Sequence, residues 1–205
     1  MFIGKYNKSV IVTYLGVTAA LIGSYLAVIN KTPRYAVLCL IIAGICDLFD
    51  GVFARMCKRN EEEKAFGIQI DSLADMVSFV FLPICIGYAV DLDKWYHVAV
   101  FAVYTLAVIT RLGFFNITVD GKSNEPVDYY RGLPVTYAAL ILSVIWLLSF
   151  VIGAGLFAVV YTTVMVLLSL LFVANIKVPK PKGIFYVIFP LLAVALILVI
   201  VFVRV

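Results

Sequence analysis

Histidine and cysteine are nearly absent from this chain of 205 residues, at one and four, and no CxxC pair occurs. That scarcity excludes the ligand spacing of a zinc site and the disulfide framework of a small secreted domain. Cys39, Cys46, Cys57 and Cys85 lie in or at the ends of apolar segments and read as buried thiols. His97 stands alone and reads as an interfacial residue. Charge is also sparse, at 14% of residues with a net of +4, and nothing resembles a nucleic-acid footprint. Internal repeats and low-complexity tracts are missing too.

What the chain has is apolar length. Hydrophobic residues make up 64% and the mean hydropathy is +1.11, which excludes an ordinary soluble domain. A bilayer core needs about 20 apolar residues per helix, and such stretches fall near 10–29, 35–57, 67–90, 95–115, 133–152, 154–175 and 183–203. The expectation is an all-α polytopic membrane protein of about seven transmembrane helices, one integral-membrane catalytic domain over 1–205. The first segment follows Lys5 and Lys8, but its apolar run is too long for a signal-peptide core, so it reads as a retained span. With the amino terminus cytoplasmic, the inner side collects Lys5, Lys8, Arg55, Lys58, Arg59, Lys64, Lys122, Arg131, Lys177, Lys180 and Lys182. The outer side keeps Lys31, Arg34, Lys94 and Arg204, so the basic residues favour that orientation. Two longer polar connections, MCKRNEEEK and ITVDGKSNEPVDYYRG, both fall on the inner side, where function is expected. The sequons at Asn7 and Asn116 also face inward, so glycosylation is not expected. Pro33, Gly132, Pro134, Pro179 and Pro181 punctuate span ends, with Pro83 and Pro190 as candidate kinks.

Of twelve acidic residues, only Asp47, Asp50, Asp71 and Asp75 fall inside spans. An ionisable side chain there costs roughly 2.5 to 3.5 kcal/mol on insertion scales, so four of them need compensation. Spacings of three and four put each pair on one helix face. At about 1.5 Å of rise per residue, Asp71, Asp50, Asp75 and Asp47 lie about 6, 10, 12 and 15 Å from the inner helix ends. All four can therefore converge on one cavity open to the cytoplasm. Two divalent cations would neutralise them, and short carboxylates suit Mg²⁺ or Mn²⁺, which also bind phosphates. Gly51 and Ala54 remove bulk beside the acids, and Arg55 adds a planar donor fork for a phosphate. A divalent-cation transporter is the rival reading. It would favour midplane sites, broken helices and repeats, whereas these acids cluster toward one side.

The pattern DxxDGxxAR (Asp47, Asp50, Gly51, Ala54, Arg55) followed by GxxxDxxxD (Gly67, Asp71, Asp75) resembles the signature of the CDP-alcohol phosphotransferase family, over roughly the first two thirds of the chain. The resemblance implies that family's fold, with two metal ions on Asp47, Asp50, Asp71 and Asp75, and Asp75 also the proton acceptor. It implies CDP binding by Asp50, Gly51, Ala54, Arg55 and Gly67, with Thr13 near the start of the first span at a further nucleotide position. The spacer between Arg55 and Gly67 is longer than the family pattern usually has. The excess is assigned to a loop around EEEK, with Lys64 as the occupant of the remaining nucleotide position.

IDSLADMVSF, RLGFFN and RGLPVTYAA look most like the members that transfer a phosphatidyl group from CDP-diacylglycerol to serine, including archaeal relatives. A serine carboxylate calls for a guanidinium, so Arg111 or Arg131, with the amide of Asn116, is expected to hold it. A hydroxyl is a poor nucleophile at neutral pH and needs a base, for which Asp75 is the candidate. The resemblance thus implies phospholipid synthesis in a prokaryotic cytoplasmic membrane, with CMP released, lipid around the helices and a homodimer as the assembly. Glycerol 3-phosphate or an inositol phosphate as acceptor, and archaeal CDP-archaeol as donor, are the alternatives.

Overall fold

The computed structural model describes residues 4, 5, 7–120, 129–179 and 183–203, with the side chains of all but 118–120. Lys122, Lys180, Pro181, Lys182 and Arg204 lie outside the described residues. Helices α1 (Val10–Val28) and α2 (Pro33–Met56) form an antiparallel hairpin, and Pro33 opens the second where its missing N–H costs nothing. α3 (Glu61–Met76) continues through a π turn (Val77–Phe81) into α4 (Leu82–Ala89). Then follow α5 (Trp95–Asp120), β1 (Tyr129–Arg131), α6 (Tyr137–Trp146), α7 (Ala154–Val173), β2 (Lys177–Pro179) and α8 (Phe185–Phe202). Among the described residues, six helical segments are long and apolar enough to cross a bilayer, α3 and α4 counting as one. This is an integral membrane protein.

One of the seven expected spans is short. A span was expected over 133–152, but α6 is ten residues followed by a four-residue 3₁₀ turn, Leu147–Phe150. The residues before it are committed elsewhere. β1 pairs antiparallel with β2, Tyr130 opposite Val178. Beyond the strand, Gly132 N–H donates to Ile176 O at 2.9 Å and Leu133 N–H to Leu171 O at 3.0 Å. These two three-residue strands are a small addition to the expected helical bundle. Gly132 has φ +75°, and a Cβ there would sit 2.5 Å from Phe172 O, so only glycine fits the join.

A second correction concerns EEEK. It is helix, not loop: Asn60 caps α3 by accepting from Glu63 N–H at 2.8 Å, while the Glu63 carboxylate accepts from Asn60 N–H at 2.9 Å. Glu61, Glu62 and Glu63 also place negative charge in the first turn, where the helix dipole favours it.

α1 and α2 meet along small residues. Ala20, Ala27, Ala36 and Ala43 are fully or almost fully buried, and a Cβ on Gly23 would fall 2.7 Å from Cys39 Cβ. Such seams let helix backbones approach closely where no water drives association. The cysteines are free, Cys85 buried and the others half-buried.

Pro83 leaves the carbonyl four residues earlier, Phe79 O, without its usual helical donor. Tyr104 on α5 donates to that oxygen at 2.8 Å, and Tyr161 on α7 donates to Pro83 O at 2.9 Å. At the far end of the bundle, Arg34 donates to the carbonyls of Ile200, Val201 and Val203, capping α8.

Candidate active site

The acid-bearing stretches of α2 and α3 face one another across a cavity of about 250 Å³. Asp47, Asp50, Asp71 and Asp75 all line it. One carboxylate oxygen each from Asp47, Asp50 and Asp71 lies within 4.8 Å of the others. Across the helix pair, Asp47 also meets Asp75, and Asp50 meets Asp71. Asp50 and Asp75 are only 8% and 6% exposed, so water screens them poorly and their repulsion must be offset locally.

Three devices hold the acids. Thr13 on α1 donates to Asp50 Oδ2 at 2.9 Å. Thr136, which immediately precedes α6, donates a short hydrogen bond to Asp47 Oδ2. Pro134, Thr136 and Tyr137 line the cavity, so the positive end of the short α6 faces the carboxylates.

Two guanidinium groups border the cavity. Arg55 lies one turn beyond Gly51, its Nη1 3.9 Å from where a Gly51 Cβ would stand. Arg111 on α5 is 9% exposed, stacks over Phe115 at 5.1 Å, and has a buried Nε without a hydrogen-bond partner. The opposite wall is apolar: Ile41 and Ile45 of α2, Ala139 and Leu140 of α6, Phe189, Ala193 and Leu196 of α8.

Three close carboxylates with no nitrogen or sulfur ligand among them match the oxygen preference of hard divalent ions, so the residues present fit such a metal. Other expected site residues fall outside the cavity lining. Ala54 is half-buried on α2, and Gly67 sits beneath Arg59, whose Nη1 would be 3.4 Å from a Gly67 Cβ. Lys64 is exposed and paired with Glu61 at 2.7 Å. Asn116 accepts from Ser72 Oγ at 3.1 Å, bracing α5 on α3. Arg131 borders a second cavity beside Arg111. Thr136, Tyr130, Tyr186 and Phe189 line the main cavity but escaped sequence reasoning. Only Thr136 left a signal there, a hydroxyl just after the RGLP turn where a helix begins.

A model of the CDP-alcohol phosphatidyltransferase family matches residues 7–204. The chain belongs to that family. Among relatives in the CDP-alcohol phosphatidyltransferase family, the chain is 35% identical over 108 residues to a CDP-diacylglycerol–serine O-phosphatidyltransferase of Saccharomyces cerevisiae, covering 50% of this chain and 38% of that one. It is 28% identical over 161 residues to the archaetidylserine synthase of Methanothermobacter thermautotrophicus, covering 78% and 64%. A Helicobacter pylori CDP-diacylglycerol–serine O-phosphatidyltransferase is 28% identical over 169 residues, covering 80% and 69%. The chain thus spans less than two thirds of the first two of these relatives.

Proposed function

We propose that this protein transfers a phosphatidyl group from CDP-diacylglycerol to L-serine, forming phosphatidylserine and CMP. The observation that carries the reading is the cavity itself, in which four facing carboxylates and Arg55 share a space with an apolar wall. A diphosphate that joins a nucleotide to a lipid needs both surfaces at once. The names of the yeast and Helicobacter relatives favour serine as acceptor.

Asp47, Asp50, Asp71 and Asp75 would hold two divalent ions, Mg²⁺ or Mn²⁺, which supply charge neutralisation for the diphosphate oxygens. Arg55 donates to the diphosphate from the rim, and Gly51 lets the nucleotide approach the backbone of α2. The acyl chains lie against Ile45, Leu140 and Ala193 and continue into lipid. Asp75 accepts the proton of the serine hydroxyl as its oxygen attacks the β-phosphorus. The bond from that phosphorus to the bridging oxygen breaks, and CMP leaves with the electron pair. Arg111 offers a cation beside Asp75 for the serine carboxylate. The end of the bundle carrying Lys58 and Arg59 faces the cytoplasm, where serine is dissolved.

The archaeal relative's name favours a second donor, CDP-archaeol; an apolar wall accepts either tail chemistry. One assay tests all of this. Purified protein is given CDP-diacylglycerol or CDP-archaeol, a divalent metal, and serine, glycerol 3-phosphate or inositol phosphate in parallel, and CMP is measured. Serine-dependent release that chelation abolishes is expected; metal-independent release, or none with any acceptor, overturns the reading.

A further inference from the structure

α8 reads FYVIFPLLAVALILVIVF, and Tyr186 alone among these residues carries a polar side-chain atom. Tyr186, Phe189, Ala193 and Leu196 recur at spacings of three and four, which puts them on one helix face, and all four line the main cavity. On α6 the order is the same: Tyr137 of the first turn lines the cavity, followed by Ala139 and Leu140. Each helix thus passes from a phenol at its start to bare hydrocarbon deeper in the bundle. On α8, Ala193 and Leu196 lie about 10 and 15 Å beyond Tyr186. Tyr137 directly follows Thr136, the donor to Asp47, so its phenol stands near the level of the acids. Tyr130 of β1 lines the cavity as well and lies within electrostatic reach of Tyr137, Tyr186 and Arg55. The rings are held edge-on by neighbours, Tyr130 by Phe115 at 6.0 Å and Tyr137 by Phe189 at 5.7 Å. Tyr137 and Tyr186 are half-buried, and among the described residues neither hydroxyl makes a hydrogen bond.

We infer that Tyr137 and Tyr186 read the ester carbonyls of the lipid donor and so select an ester-linked diacyl donor over an ether-linked one, which rests on the lipid-donor part of the function proposed above. A diphosphate held between the acids and Arg55 places the donor's glycerol only a few bonds away, between that charged end and the apolar wall. The two phenols border the same interval. Each O–H donates to an ester carbonyl, and the chains continue as hydrocarbon past Ala193 and Leu196. An ether linkage has no carbonyl, and its oxygen is shielded between two alkyl groups. An ether-linked donor therefore leaves two desolvated hydroxyls unmatched, which costs more than the missing attraction alone. The apolar wall admits either tail; the choice falls at the linkage.

The test gives the full-length protein, in lipid nanodiscs with Mg²⁺, either CDP-dioleoylglycerol or its dioleyl ether analogue, matched in chain length and unsaturation. Equilibrium binding of each donor is measured without serine, and CMP release is measured with it. The wild type is expected to bind the ester donor about tenfold or more tightly than the ether. Tyr137→Phe and Tyr186→Phe should each weaken ester binding about fivefold, the loss of one neutral hydrogen bond. Ether binding should be unchanged or tighter in both, so the preference shrinks from the ester side alone. Equal binding of the two donors by the wild type overturns the inference, as do variants that keep the preference or that lose both donors alike. A protein that shows the ester preference but releases no CMP with serine overturns the serine reading alone. A protein that binds neither donor overturns the proposed function and the inference together.

Discussion

α2 packs against α1 along one face and borders α8 across the cavity, and these two contacts are built on opposite plans; against α6 it also packs closely, a Gly44 Cβ falling 2.9 Å from Ala139 Cβ. Toward α1, glycine, alanine and cysteine bring the backbones together until a single added methyl group would collide. Toward α8, large side chains such as Phe189 and Leu196 hold the helices apart and leave a cavity. The closed flank brings Thr13 of α1 to Asp50, whereas the open flank leaves a cavity beside all four acids. One helix can therefore be rigid and accessible at once.

Substitutions can break this contrast at either flank. The largest effect is expected on the open side, at Asp75→Asn. Turnover should fall about 10³-fold, in the range for losing a positioned base, with thermal unfolding little changed; surviving turnover would remove the proton acceptor from the scheme. On the closed side, Gly23→Val should destabilise the protein by about 3 kcal/mol, the upper range for overpacking a close seam, read as a lower melting temperature in detergent. An unchanged melting temperature would mean that the seam yields. Thr136→Val should lower kcat about tenfold, as a bond to a carboxylate in the cavity is lost, and Thr136→Ser should restore most of it. Ala193→Phe narrows the apolar wall and should raise the KM for the lipid donor several-fold, about 1 kcal/mol, while leaving the serine KM alone. Lys64→Ala should change no kinetic constant by more than about twofold, since its partner is an exposed Glu61.

The acids were legible because their compensation problem is local: spacing alone puts Asp47 beside Asp50 and Asp71 beside Asp75. The start of α3 was legible in principle, as Asn60 and Glu63 have capping-box spacing, but charge density in EEEK suggested a loop. β1 and β2 are three residues each and exist through mutual pairing that no local pattern announces. The shortness of α6 has the same origin, since Gly132 and Leu133 are bonded to the end of α7 and its following turn before the helix can begin. Tyr130, Tyr186 and Phe189 reach the cavity from elements distant in sequence, and an aromatic side chain in an apolar chain carries no sign of which neighbour it will meet. Asn116 was expected at the acceptor from the run RLGFFN; in the fold it accepts from Ser72 and lies outside both cavity linings.

The π turn at Val77–Phe81 has a consequence for inheritance. The carbonyls of Phe79 and Pro83 accept from hydroxyls belonging to α5 and α7, so the π turn of the α3–α4 span is written partly in other helices. A chimaera that receives residues 61–89 alone would acquire Asp71 and Asp75 but not the shape that carries them. Tyr104 and Tyr161 would have to travel with that segment for the acids to arrive at the right place.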